Sequence, residues 1–290
     1  MTYCVGIEVD EGLVFAADTR TSASFDDVRV HGKLHVFEFP GERVLVLMTA
    51  GNLATSQAVL ARLRRDVEED AATSLRTVAR MTDAAEYVGQ VLVGVQAQLA
   101  AQAEHGRVNL ESTLILGGQI AGGAKALYLI YPVGNCIAAS PETPYLQIGE
   151  SKYGKPILDR IVRPAMHLED AARCALVSLD STIRSNLSVG LPIDLVLLRV
   201  DALRLMAQMR LDGDTPLYAE IRDSWSRKLE RAVHGLPRFA WEPPLAEDAA
   251  AAAATAQVPA LPAAAPLQQA AAPVEVATAQ AQSQQAVPPV

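Results

Sequence analysis

The chain has 290 residues, 50% hydrophobic and 20% charged, with a formal charge of −8. This composition suits a globular body able to bury a sizeable core, and an acidic balance without a Lys/Arg cluster argues against nucleic acid as the main partner. No basic stretch leads into a long apolar run, no apolar run reaches transmembrane length, and Cys4, Cys136 and Cys174 form no CxxC pair; the chain therefore reads as cytoplasmic, with no membrane partner, disulfide frame or zinc site.

Residues 2–9 alternate apolar and polar positions around Val5, Ile7 and Val9, and Gly12 turns into the more continuously apolar LVFAAD, ending at Asp18. Strand patterns over 36–39 and 43–48 flank Pro40-Gly41, a hairpin signal. His31 and His35 are the only close histidine pair and read as surface chemistry. Two helical stretches follow, one carried by Leu60, Leu63 and Val67. The other is marked by Leu75, Val78, Val88, Leu92, Val95 and Leu99, with breaks near Gly89 and Gly94.

Strand signals return over 112–116 and 126–131, and the glycine doublets between them lack phosphate-loop spacing. A third helical face carries Leu168, Leu176, Leu179 and Ile183, with Glu169 and Asp170 suited to its N-terminus. Residues 193–200 and 203–211 form another hairpin pattern. A last helix starts at Thr215-Pro216 and is expected to bury Leu217, Ile221, Trp225, Leu229 and Val233 before closing at His234-Gly235. From Leu245 the composition turns to Ala, Pro, Gln and Val, which predicts a domain over 1–244 and a disordered tail over 245–290. A tail that docks a partner is the functional alternative. Hairpins with helices segregated between them predict an α+β fold.

The start of the chain raises a chemical question. Removal of Met1 leaves Thr2 with a free α-amine beside its own hydroxyl, a nucleophile carrying its own base. Such a site needs a cation to lower the nucleophile's pKa, a carboxylate to hold that cation, and N–H groups for the oxyanion. Asp18 ends a strand antiparallel to the one bearing Thr2, Lys33 precedes the next strand, and Gly51 lies in Thr49-Ala50-Gly51-Asn52 ahead of a helix. Each residue alone has an ordinary structural role; their joint order is the signal.

The run T-x-x-V-G-I at the start, ADTRTS over 17–22, Lys33 and MTAGNLA over 48–54 resemble a proteasome β-type subunit or the related HslV-type bacterial peptidase. STIRSNLSVGLPIDLVLL over 181–198 resembles more closely the bacterial proteasome-related family called Anbu. The similarity covers roughly residues 2–235. It implies the four-layer αββα sandwich of the N-terminal nucleophile hydrolases, self-assembly into rings or an open spiral, and a threonine endopeptidase acting on peptide or unfolded-protein substrates. No metal or organic cofactor is implied, and an unfoldase partner is left open. Carried across, Thr2 is the nucleophile, Asp18 and Lys33 the pair tuning it, and Gly51 the oxyanion donor. Ser151 and Ser188 resemble the hydroxyls near the terminal amine, Arg20 and Ser22 the peptide-binding edge, and Thr49 a wall of the first specificity pocket. Two departures stand out: Arg184-Ser185-Asn186 replaces the usual Arg-Asp, and Glu150 occupies the place where many relatives carry serine, offsetting Ser151 by one. A catalytically silent assembly subunit and an amidase acting on small amides stay open as alternatives.

Overall fold

In the computed structural model, which describes residues 2–22, 28–102 and 108–242, the first strand β1 (Tyr3–Val9) and its neighbour β2 (Gly12–Asp18) are buried along nearly their whole length. Strands covered on both faces read as continuous apolar runs, as LVFAAD does. After the short ribbon β3 (Arg20–Ser22) and β4 (Val28–Val30) come β5 (Leu34–Phe39) and β6 (Arg43–Gly51), then α1 (Leu53–Glu68) and α2 (Met81–Gln102). The chain continues through β7 (Ser112–Ile120), β8 (Ala126–Ile130), β9 (Cys136–Ala138) and β10 (Tyr145–Gly149). It ends in α3 (Lys155–Ile161), α4 (Leu168–Ser185), β11 (Ile193–Arg199), β12 (Leu205–Leu211) and α5 (Pro216–His234).

Two five-stranded antiparallel sheets result, ordered β10-β1-β2-β11-β12 and β5-β6-β7-β8-β9. Three apolar clusters join the elements. Tyr3, Val5, Ile7 and Val14 meet Leu168, Ala175 and Leu179 of α4. Leu45, Leu47 and Leu116 meet Val59 and Leu63 of α1 and Val88 and Leu92 of α2. Cys4, Phe15, Met48, Ile115 and Val196 form a cluster whose members come from both sheets. Gly6 belongs to the same approach, since a Cβ there would stand 2.8 Å from Leu127 Cδ1. Among the described residues no helix is long and apolar enough to cross a membrane.

Several expectations need correction. The second helix begins at Met81, so Leu75 and Val78 reach their cluster from the preceding loop. It also runs unbroken through Gly89 and Gly94. Gly89 is set by contact, because a Cβ there would lie 2.1 Å from the Gly134 carbonyl oxygen. Strand β10, unforeseen, pairs with β1 at the sheet edge, and helix α3, also unforeseen, buries Leu158 in the cluster of α4. His35 is half-buried with its Nε2 enclosed, not a surface group.

The largest departure is α5. Only Tyr218 is buried there, while Leu217, Leu229 and Val233 are 49%, 50% and 61% exposed. A four-residue apolar spacing defines a face but not what covers it. Among the described residues α5 meets α4 through Tyr218 and Ile221 and through a hydrogen bond from Arg184 Nη2 to Ser226 Oγ at 3.4 Å, which leaves Leu217, Leu229 and Val233 uncovered.

The chain divides into one unit over Met1–Gly235 and another over Leu236–Val290. In the second, Phe239 stacks on Trp241 at 4.5 Å and Arg238 Nε donates to Glu242 Oε2 at 2.7 Å. The tail expected over 245–290 lies outside the described residues.

Candidate active site

The register of β1 against β2 pairs Cys4 with Ala17, which brings the end of β2 beside the start of the chain. The Tyr3 N–H donates to Asp18 Oδ1 at 2.9 Å. Gly190, in the loop before β11, donates its N–H to Asp18 Oδ2 at 3.2 Å. Lys33, in the segment leading into β5, donates from Nζ to Asp18 Oδ1 and to the Arg20 carbonyl oxygen, each at 2.6 Å. Lys33 is 5% and Asp18 0% exposed. Burial pushes the Asp18 carboxyl above the ordinary aspartate range, while Lys33 and the two backbone N–H groups pull it back. All of these partners are donors, the arrangement a carboxylate accepts.

Above this pair lies a cavity of about 310 Å³ lined by Thr2, Thr21, Lys33, Thr49, Gly51 and Ser56, among others. Gly51 ends β6 with φ +111°, and a Cβ there would lie 2.4 Å from the Glu111 carbonyl oxygen. Only glycine fits that turn without strain. The next residue, Asn52, caps α1, its side chain accepting from the Thr55 N–H at 3.1 Å. The cavity floor thus passes from strand end to helix start within two residues.

Thr2 is also held from β10. The Glu150 N–H donates to the Thr2 carbonyl oxygen at 2.7 Å. Gly149, with φ +84°, passes so close that a Cβ there would lie 1.9 Å from the same oxygen. Cys4 Sγ lies 3.8 Å from the Thr49 carbonyl oxygen, and burial holds its thiol above the usual range.

Of the residues singled out by sequence, Thr2, Lys33, Thr49 and Gly51 share this cavity, and Asp18 lies beneath it. Arg20 turns elsewhere: its Nη1 donates to the Leu187 carbonyl oxygen at 2.9 Å and its guanidinium covers Gly190. Thr21, which sequence reasoning passed over, reaches the cavity in its place. Alternation along β3 carried the signal, since neighbouring residues face opposite ways. The backbone of Ser22 ends β3. Ser151 is half-buried, its carbonyl accepting from the Lys155 N–H at 3.1 Å. Ser188 is half-buried and donates its N–H to Asn186 Oδ1 at 2.9 Å. Neither serine lines the cavity. Among the described residues no group of three or more His, Cys, Asp or Glu is placed to hold a metal ion.

A family model described as "Proteasome subunit" matches residues 2–197. No curated protein matches the chain. Among solved structures, Anbu (ancestral beta-subunit) from Yersinia bercovieri is 42% identical over 83% of this chain and 100% of its own, with a TM-score of 0.77. The Anbu complex from Pseudomonas aeruginosa, described as a helical assembly, is 48% identical over 84% of this chain and 99% of its own, with a TM-score of 0.77. Anbu from Hyphomicrobium sp. strain MC1 is 42% identical over 82% and 99%, with a TM-score of 0.73.

Proposed function

The chain belongs to the proteasome subunit family, in its bacterial Anbu branch, and from that premise we propose that it is an N-terminal threonine peptidase that assembles with copies of itself. The observation that carries this reading is the convergence of Thr2, Lys33 and Gly51 on one cavity, with Asp18 paired to Lys33 below it. The helical assembly described for the Pseudomonas aeruginosa relative supports self-assembly. The order of the apolar clusters, helix against sheet on either side of a cluster drawn from both sheets, supports the four-layer αββα arrangement.

After Met1 removal the Thr2 Oγ attacks a peptide carbonyl carbon while the α-amine takes the hydroxyl proton. The Gly51 N–H receives the oxyanion. Collapse breaks the C–N bond, and the protonated amine returns its proton to the leaving peptide, leaving an ester on Thr2. Water, deprotonated by the same amine, hydrolyses that ester and frees Thr2. The small hydroxyl and apolar lining contributed by Thr21, Thr49, Ala50, Leu53 and Ser56 favours uncharged side chains next to the scissile bond.

Intact mass and a β-lactone or epoxyketone probe test the reading together. The expected result is loss of Met1 and one adduct on Thr2. A chain that keeps Met1 and takes no adduct overturns it. One observation favours a second reading, an assembly subunit without turnover: Arg184-Ser185-Asn186 replaces the Arg-Asp that proteasomal subunits usually carry. Normal assembly with no adduct would select that reading.

A further inference from the structure

Glu150 is a buried carboxylate, 8% exposed, and no ion pair among the described residues includes it. Among the described residues its oxygens accept from neutral donors only, the Lys152 N–H at 3.2 Å and Asn186 Nδ2 at 3.1 Å. A buried carboxylate left without a cation is costly even when hydrogen-bonded, so the missing positive partner needs an explanation.

The surrounding bonds close a ring around Thr2. The Glu150 N–H holds the Thr2 carbonyl oxygen and the Glu150 carboxylate holds Asn186, whose Oδ1 accepts the Ser188 N–H. Two residues on, the Gly190 N–H reaches Asp18, which in turn accepts the Tyr3 N–H beside Thr2. The ring carries two carboxylates. Asp18 has Lys33; Glu150 has no cation among the described side chains.

We propose that Glu150 is the positioning residue on the amine side of the site, taking over through Asn186 the part of the aspartate that the 184–186 sequence lacks. Its cation is the α-ammonium that Met1 removal creates at Thr2. The identity of residue 186 follows from this. An aspartate there would set two carboxylates about 3 Å apart, whereas asparagine gives an N–H to Glu150 and an oxygen to Ser188 at once. The Glu150–Asn186 pair is therefore one unit, and the two departures from the proteasomal β-subunit pattern are a single change. The inference rests on the threonine-peptidase reading and deepens it.

The charged groups of the elements packed around Thr2 are Asp18 of β2, which accepts the Tyr3 N–H, Lys33 ahead of β5, which shares the Thr2 cavity, and Glu150 just past β10, whose N–H holds the Thr2 carbonyl, with the Arg20 guanidinium farther off over Gly190. The Glu150 charge stabilises the protonated amine, opposing Lys33. Removing it frees the amine to act as a base at lower pH.

The test compares the full-length wild type with Glu150→Gln, Asn186→Asp and the double exchange Glu150→Gln/Asn186→Asp, following β-lactone adduct formation on Thr2 against pH with intact mass as the check on Met1. Glu150→Gln keeps an oxygen for Asn186, so it should fold. The acidic limb of its rate profile should move down by about one pH unit, and its maximal rate should fall about tenfold. Asn186→Asp should be slower still. The double exchange keeps one carboxylate and the side-chain hydrogen bond with its direction reversed, and should restore both the limb and the rate. An unmoved limb in Glu150→Gln, or a double exchange no better than that single variant, overturns the proposal. Failure of the peptidase reading itself would be visible earlier, in a wild type that takes no adduct.

Discussion

The ammonium of Lys33 stands 2.6 Å from Asp18 Oδ1 and 2.6 Å from the Arg20 carbonyl oxygen, so one cation ties the end of β2 to the start of β3. Two of its three N–H donors are thereby used, leaving one for the cavity that Thr2 also lines. Lys33→Met removes the cation and leaves a fully buried Asp18 with two backbone donors. Breaking a buried pair in this way costs about 3–5 kcal/mol, measurable by urea unfolding, and probe labelling should fall below detection. Lys33→Met/Asp18→Asn should recover stability without labelling. Labelling at the wild-type rate in either variant would show that the pair does not tune the nucleophile.

Thr2→Ala should abolish the adduct while changing stability by no more than about 0.5 kcal/mol, the usual range for a residue outside the core. Thr2→Ser retains hydroxyl and amine and should still be labelled. An adduct on Thr2→Ala, located by peptide mapping, would place the nucleophile elsewhere.

Gly41 and Gly51 both have positive φ, +75° and +111°, but only Gly51 has backbone within reach of an added Cβ. Gly41→Ala should therefore cost only about 1 kcal/mol of backbone strain and leave labelling unchanged. Gly51→Ala must push β6 away from Glu111 and should cost about 3 kcal/mol or more, with labelling lost as the oxyanion donor moves. Equal behaviour of the two variants in thermal melts and labelling would contradict this.

His35 gives a pH signature. Burial, reinforced by Arg64 and His31, holds its imidazole down at about 4, against an ordinary value of 6.5. The folded state keeps it neutral while the unfolded state binds a proton below about 6.5, so stability rises with pH across the window from 4 to 6.5. The contribution is fully present above 6.5 and lost by pH 4, a change of about 3 kcal/mol. His35→Gln should flatten the stability profile in that window relative to wild type. Parallel profiles from urea unfolding at pH 4.5 and 7.5 would sink the assignment.

The strands near the site were readable because their signals are local. The run LVFAAD ends at Asp18, and antiparallel pairing with β1 returns that residue to the start of the chain. Gly51 before an Asn cap announces a tight passage from strand to helix. Lys33, one residue ahead of β5, needed only the hairpin order to be aimed at Asp18.

Other features depended on partners that no local pattern names. Leu217, Leu229 and Val233 have the spacing of a buried stripe, yet it is Tyr218 and Ile221 of the same helix that pack with α4. Arg20 is the residue the sequence points to, yet β3 commits it to Gly190 and brings its neighbour Thr21 to the cavity. Glu150 and Asn186 look like two separate lapses in the sequence and become one hydrogen-bonded pair only when β10 and the end of α4 converge. Periodicity and turn chemistry act between residues a few positions apart, so the chain alone dictated most of its longer elements and the placing of Asp18, Lys33 and Gly51 near Thr2. Contacts between residues far apart in sequence are chosen by how the sheets and helices pack, and that packing decided which side chains complete the site.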